Sequence, residues 1–536
     1  MRSTLQLLKS AVCLAFIIFS IGKSFGQAGP LDESFGNVGQ VFDTSINISA
    51  SPKIGLQKNG KIILGYPVGN DLLGSSYTIV FKRFNTNGII DSSFGNNGTK
   101  KLKQNYSGST GVGVFCIAID LNDRIIFGLI AEKKTSDPYI TNHDFLIKRL
   151  TKNGRVDSSF GVNGSTIIDF TNNPSYIGHD SYPSSIAVNQ EGKILITGSY
   201  MPTTNPEGDN FCIPLAKLKT DGSPDSSFGT NGKVLIPLML EKMYPNHLLI
   251  QPDGKIVLGE YLMRQSAIKP FNWGVYRFNP NGSLDQSFGD SGRVVTNFPG
   301  NYAILRGLAL MNDKIIACGD GYSKNNTYNQ MLEKYEENGS INKSFERNAR
   351  TSETHSLSYI KVSPGSKIIA LDAYQNLIKF KKNGTPDSSF GTNGIANIYF
   401  DSNYQSADML LQQDDKIVIL RSGPSADGSK QVILLERYNN DDAKVFLSDL
   451  SSEAIKQQLA LPKLYPNPAH NFIYITGLKG GVSTQLSVTD INGKVLAVAN
   501  TTLPQYKLGI QSLKAGLYYI AVIQNDKTTK RIFLKQ

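Results

Sequence analysis

Histidine is scarce in this chain of 536 residues, with five in all: His143, His179, His247, His355 and His470. They are scattered, and none forms HExxH, HxH or a Cys/His zinc spacing, so the common zinc patterns do not apply. Cysteine is as sparse. Cys13 lies in the N-terminal apolar run, and Cys116, Cys212 and Cys318 stand far apart in strand-like runs. Without a CxxC pair or an even set, the plain reading is three small buried residues rather than one disulfide and a reactive thiol. No GxSxG elbow, phosphate-binding loop or EF-hand loop occurs. Past the N-terminus no apolar run approaches the roughly 20 residues of a membrane helix. The 3.6-residue period of a helical solenoid is also missing. Neither catalytic residues nor a metal or cofactor site is expected on these grounds.

Charge is low, 18% of residues, and its net value of +11 is unevenly spread. Arg2, Lys9 and Lys23 belong to the first 26 residues, and residues 463–536 carry nine Lys/Arg against Asp490 and Asp526. The body between is nearly neutral, so the basic balance does not imply nucleic-acid binding. The first residues read as a secretory signal. Arg2 and Lys9 make a basic start, Ala11 to Ile21 an apolar run, and Ser24-Phe25-Gly26 a small-x-small cleavage site. Cleavage between Gly26 and Gln27 is expected. Cys13 sits at the front of the apolar run, whereas lipoprotein signals place theirs behind it.

What is abundant is a repeat. Leu31-Asp-Glu-Ser-Phe-Gly-Asn-Val-Gly39 returns at 90–98, 156–164, 224–232, 284–292 and 386–394, with a worn copy at 341–346. The Asp and Ser can accept or share hydrogen bonds with backbone groups two or three residues on. The Phe (Phe35, Phe94, Phe160, Phe228, Phe288, Phe345 and Phe390) is the expected anchor that buries each turn between neighbouring units. Seven equivalent Asp-Ser pairs point to structure rather than chemistry. Two further signals recur in phase: a turn before an apolar run, as in LQKNGKIILG (56–65) and IQPDGKIVLG (250–259), and a run ending in Asn/Asp-Gly, as in IVFKRFNTNG (79–88). These are hairpin signals. Each unit reads as four strands: A before the Gly-Lys turn, B after it, C ending in Asn-Gly, and D after Ser-Phe-Gly. That is the make-up of a propeller blade.

The (Leu/Val/Ile/Pro)-Asp-x-Ser-Phe-Gly-x-x-Gly motif with its DGKI turn resembles the delta-60 repeat family of β-propellers over roughly 31–441. The sequence departs from that pattern at Asn342, Glu346 and Asp415. After 411–440 no eighth Ser-Phe-Gly follows, while the strand after the first motif, Gln40 to Asp43, has no A, B or C of its own. It is therefore expected to complete the last blade and clasp the ring.

The C-terminal stretch opens Leu464-Tyr-Pro-Asn-Pro and continues with Asp490-Ile-Asn-Gly-Lys494-Val, Leu513-Lys-Ala-Gly-Leu-Tyr-Tyr519 and a basic end. Short alternating strands fit a small β-sandwich. The motifs resemble the C-terminal sorting domain of type IX secretion. That resemblance implies recognition of 464–536 by the type IX translocon and its sorting peptidase, and removal near 441–463. It also implies release or surface attachment, and a Bacteroidetes-type source. The expected organisation is a signal peptide (1–26), a seven-bladed all-β propeller (27–441), a linker (442–463) and a sandwich (464–536). The product is expected at the outer-membrane surface or in the medium, as a monomer.

Function is expected on the connections that vary, B–C and D–A, since variable loops on a rigid scaffold commonly bind. These segments are rich in tyrosine, and Tyr106, Tyr176, Tyr182, Tyr244, Tyr302 and Tyr404 are the candidates for a glycan or surface-protein partner. They serve equally well as caps on the blade ends. A second reading places Asp144, Asp180, Asp209 and Asp320 around the pore as carboxylates for glycoside cleavage.

Overall fold

The computed structural model describes residues 31–440 and 463–535, apart from 38, 47, 49, 70–75, 106–115, 133–141, 171–178, 203–211, 238–240, 265–270, 297–302, 323–327, 350–355, 399–403, 425–430, 466–468, 477, 491–492 and 526. The signal segment with Gly26 and Gln27, and the 442–462 linker, lie outside the described residues. Two compact units divide the sequence between Asp442 and Ala443.

The first unit is a β-propeller. Among the described residues its strands fall into seven antiparallel groups, here called blades, most of them with A, B, C and D strands and one with A, B and C alone. The first consists of Lys53–Leu56, Ile62–Gly69, Ser76–Phe84 and Thr99–Asn105. The second and third blades share one sheet, because His179 and Asp180 pair in parallel with Asn142 and His143. The A strands of successive blades touch from Lys53–Leu56 round to Gln405–Leu411, which returns to Lys53–Leu56. They therefore ring a central channel.

The last blade is completed from the other end of the chain. Gln40–Ile46 pairs antiparallel with Gln431–Tyr438, Gln40 opposite Glu436 and Val41 opposite Leu435. The N-terminal strand thus forms the clasp expected from the motif count. The worn sixth motif behaves differently from the others. Where a D strand is expected, a short helix of about two turns runs over Lys343–Ala349, with Asn342 capping it through the Phe345 N–H. Losing both glycines of the motif, to Glu346 and Ala349, removes the turn that starts a D strand, and among the described residues that blade has three strands.

The apolar core is not one mass but seven clusters, one at each blade boundary. One joins Ile63, Phe81 and Phe94 to Ile125 and Phe127. Another closes the circle, with Leu64 and Val80 of the first blade against Val418 and Leu435 of the last. The middle strands are buried on both faces, as the run Ile62–Tyr66 shows, so they read as continuous apolar runs rather than alternating ones. All seven motif phenylalanines are buried, at 0–2% exposure.

The C-terminal unit is a small sandwich. Lys463–Tyr465, Phe472–Thr476 and Gln505–Gly509 form one sheet; Val495–Thr501, Thr484–Thr489, Gly516–Gln524 and Lys527–Lys535 form the other. Ile473, Ile475, Leu486, Ile520 and Phe533 fill the space between them. The Asp490–Lys494 hairpin closes where the sequence places it, with the Asp490 carboxylate accepting from the Lys494 N–H at 2.9 Å.

Candidate functional site at the channel mouth

The repeated Asp and Ser are fully engaged in structure. In the first blade Asp91 accepts from the Ser93 N–H and hydroxyl through one carboxylate oxygen, at 3.1 and 2.7 Å. Its other oxygen accepts from Lys61 Nζ at 2.6 Å and Arg83 Nε at 2.8 Å. Arg83 then lies over the Phe94 ring at 5.0 Å and donates to the Lys152 carbonyl of the next blade at 2.6 Å. Arg149 over Phe160, Arg277 over Phe288 and Arg437 over Phe35 repeat the stacking. Burial opposes charge on Asp32, but hydrogen bonds from Lys416 and Ser34 and the Arg437 charge outweigh it and hold its pKa at about 2. Motifs of this type rivet neighbouring blades together at one end of the strands, and the variable connections lie towards the other.

At that other end the structure corrects where the tyrosines sit. Tyr182 and Tyr244 are not on connections but on the A strands His179–Val188 and Glu241–Ile250. Tyr66 and Tyr200 are buried in B strands. The B–C hairpins continue pairing past the β-branched runs that mark their middles, so the true connections are shorter than the sequence suggests. Tyr404 directly precedes the A strand Gln405–Leu411 and is half-buried. Tyr106, Tyr176 and Tyr302 lie outside the described residues.

Tyr182 belongs to a cluster. His143 Nδ1 and Asp180 Oδ1 are 2.6 Å apart, and the Tyr182 hydroxyl is 3.5 Å from the same nitrogen. The two rings lie 5.6 Å apart, tilted by 38°. His143 starts a C strand of one blade and Asp180 an A strand of the next, so the parallel pairing between those blades is what brings them together. His143 is buried, whereas Asp180 and Tyr182 are half-open.

Two of the expected pore carboxylates are each engaged by a side chain of this protein. Asp180 is held by His143, and the fully buried Asp320 is held by Arg306 at 3.1 Å. They stand in the third and fifth blades, and Asp144 is buried beside His143 in its strand. Asp209 lies outside the described residues. Inside the channel the sequence reading missed three basic side chains on A strands: Lys53, Arg306 and Lys361. Burial, then the charges of Lys53 and Lys361, push His247 down to about 4. The signal for them was a polar position breaking an A-strand run, as in Tyr359-Ile360-Lys361. Arg306 is displayed by a bulge, since the register slips between Leu305 and Gly307. Cys116 and Cys318 are buried and Cys212 is half-buried; burial pushes each thiol up, Cys116 to about 12 and Cys212 to about 11. Among the described residues no group of three His, Cys, Asp or Glu is placed to hold a metal ion.

Comparison with known proteins agrees with both units. Residues 463–535 match the secretion system C-terminal sorting domain. Residues 191–228 and 270–288 match a β-propeller family described as a domain of unknown function, DUF5122. Among the curated proteins no sequence matches at a significant level. Similar solved structures include PorZ, a surface component of the type IX secretion system of Porphyromonas gingivalis, at 11% identity and TM-score 0.34, covering 92% of this chain and 60% of that one. YCF48 bound to D1 peptide is another, at 10% identity and TM-score 0.36, covering 76% of this chain and 99% of that one. An α-L-arabinofuranosidase from Fusarium graminearum is a third, at 15% identity and TM-score 0.36, covering 62% and 94%. The chain spans less than two thirds of the PorZ structure. It thus joins a β-propeller to a type IX sorting domain, which marks it for export to the cell surface or the medium. No helix of the described residues is long and apolar enough to cross a membrane.

Proposed function

We propose that this is an exported binding propeller, whose channel mouth holds a glycan or a surface protein and whose sorting tail delivers it. The observation that carries the reading is the placing of Tyr182 beside the His143–Asp180 pair on paired strands. A flat aromatic face and a polar end, fixed by sheet hydrogen bonds, lose little entropy on binding. Tyr404, next to the start of another A strand, is a second candidate, and Tyr106, Tyr176, Tyr244 and Tyr302 are the remaining ones. In this reading the signal is cut after Gly26. A sorting peptidase removes 464–536 at a site within the linker.

The test is a glycan array and a surface-protein screen with the mature chain from Gln27. Tyr182→Ala with Tyr404→Ala should remove any binding found, while the melting temperature stays within a few degrees. Binding that survives both changes refutes the channel mouth. Each bound glycan is also incubated for cleavage. Products would favour the carboxylate reading, in which Asp180 and Asp320 exchange their basic partners for substrate.

A further inference from the structure

The first blade differs from the others at its rim. Its D strand Thr99–Asn105 reads TKKLKQN, whereas the other D strands read STII, KVLIP, RVVT, IA and, in the clasp, QVFDTSI. Strand register places Lys101 and Lys103 on one face, and Lys100, at the alternate position, also lines the groove. Lys101 pairs with Val80 and Val80 with Tyr66; Lys103 pairs with Thr78 and Thr78 with Val68. These rows border an open groove of about 960 Å³. Lys82, Lys100, Lys101 and Arg155 supply its charge, and Asn96 and Asn97 its amides.

The balance of charge in the groove is positive. Lys82 is neutralised by Asp43 of the clasp, which also accepts from the Tyr66 hydroxyl at 3.1 Å. Lys101 and Arg155 are exposed, and among the described residues no carboxylate pairs with them or with Lys100. The propeller is otherwise close to neutral, so this concentration is local rather than a reflection of a basic protein. Exposed cations left without partners on one strand repel one another by Coulomb's law, and an anionic ligand relieves that repulsion. Amide and hydroxyl groups alongside suit a ligand rich in hydroxyls as well as in charge.

We propose that this groove binds an acidic polysaccharide, with Lys100, Lys101 and Arg155 taking its carboxylate or sulfate groups. The site is separate from the channel mouth and does not depend on it. Asp43 of the clasp reaches the groove only through its contacts with Lys82 and Tyr66, two of the residues that line it.

The probe is polygalacturonate, with dextran sulfate as a second anionic chain and neutral dextran as control, against the mature chain from Gln27. Wild type should bind both anionic chains, less tightly as salt rises, and should ignore dextran. Lys100→Glu with Lys101→Glu and Arg155→Glu should bind at least about tenfold more weakly. Lys101→Gln with Arg155→Gln, which adds no new repulsion, should show a smaller loss. Lys219→Glu with Lys382→Glu, a change at two exposed lysines elsewhere, should bind as wild type. Equal loss from that remote pair would reduce the effect to general charge and overturn the proposal. So would unchanged binding by the triple variant, equal binding to dextran, or retention on polyglutamate but not on either polysaccharide. Loss of this binding with array hits intact would leave the channel-mouth reading standing, and the reverse result would leave this one.

Discussion

Asp32 and Arg437 meet from opposite ends of the propeller sequence: the carboxylate lies 2.8 Å from the guanidinium, and the Asp32 N–H donates to the Arg437 carbonyl at 2.8 Å. Arg437 also stacks on Phe35 at 4.7 Å and donates to the Thr86 carbonyl of the first blade. One side chain therefore ties the last blade, the clasp and the first blade together. The same rivet recurs around the ring, where the backbone N–H of Gly36, Gly95, Gly161, Gly229 and Gly289 each donates to the Asn/Asp-Gly turn of the next copy.

Deleting residues 30–45 should leave the last blade with three strands and an open edge, and should lower the melting temperature sharply. Asp32→Ala is the milder version. It leaves Arg437 buried with its carboxylate removed, a loss expected to cost about 3–5 kcal/mol by analogy with other broken buried pairs. Urea unfolding measures it, and a change under about 1 kcal/mol would mean that the clasp contributes little.

Phe160→Ala should cost about 3–5 kcal/mol, because a fully buried ring between two blades leaves a cavity. Phe160→Leu should cost less, since it keeps most of the volume while losing the contact with Arg149, itself worth about 0.5–2 kcal/mol. Equal effects from the two substitutions in denaturant titrations would show that the ring face, not the volume, is what matters.

The Gly that ends the B-strand run also has a physical reason. At Gly198 and Gly319 an added Cβ would fall inside the carbonyl of Tyr182 or Ile304, where the A strand bulges inward. Gly319→Ala should therefore be destabilising by about 1–3 kcal/mol. Gly69→Ala, where a Cβ meets nothing within 4 Å, should be close to neutral. Similar melting temperatures for the two variants would remove the steric explanation.

Acid should loosen the ring. Asp32 is held at about 2, below its ordinary 3.8, and Asp91, Asp157, Asp225, Asp285 and Asp387 are shifted in the same direction. Burial raises each of them, and the serine and Lys or Arg partners more than offset it. A folded pKa below the unfolded one means that stability is present above about 4 and is lost as pH falls towards 2. The melting temperature should stay level from pH 7 to 5 and drop steeply below 4. Asp91→Asn with Asp285→Asn should flatten that drop, and an unchanged slope would place the acid sensitivity elsewhere.

The motif spacing was enough to read the strand order of each unit, the burial of seven phenylalanines and the pairing of Gln40–Ile46 with the last blade. These follow from local chemistry: Asp and Ser make the turn, Gly permits it, and Phe must leave water. The tyrosines were misplaced because the strands go on pairing through Pro183 and Pro245, which follow Tyr182 and Tyr244 and read as loop signals in the sequence. The helix at Lys343–Ala349 was equally hidden, although Asn342 and Glu346 marked its motif as different.

The sequence alone determined that each unit has two apolar faces, and hence that units must stack until the circle closes. It also determined the export tail, whose motifs are contiguous. Only the tertiary structure decided that His143 meets Asp180 and that Asp320 is spoken for by Arg306. It likewise brought Lys82 of the first blade up against Asp43 of the clasp. Those contacts join strands separated by tens to hundreds of residues, and their geometry comes from register and blade twist, which no local pattern encodes.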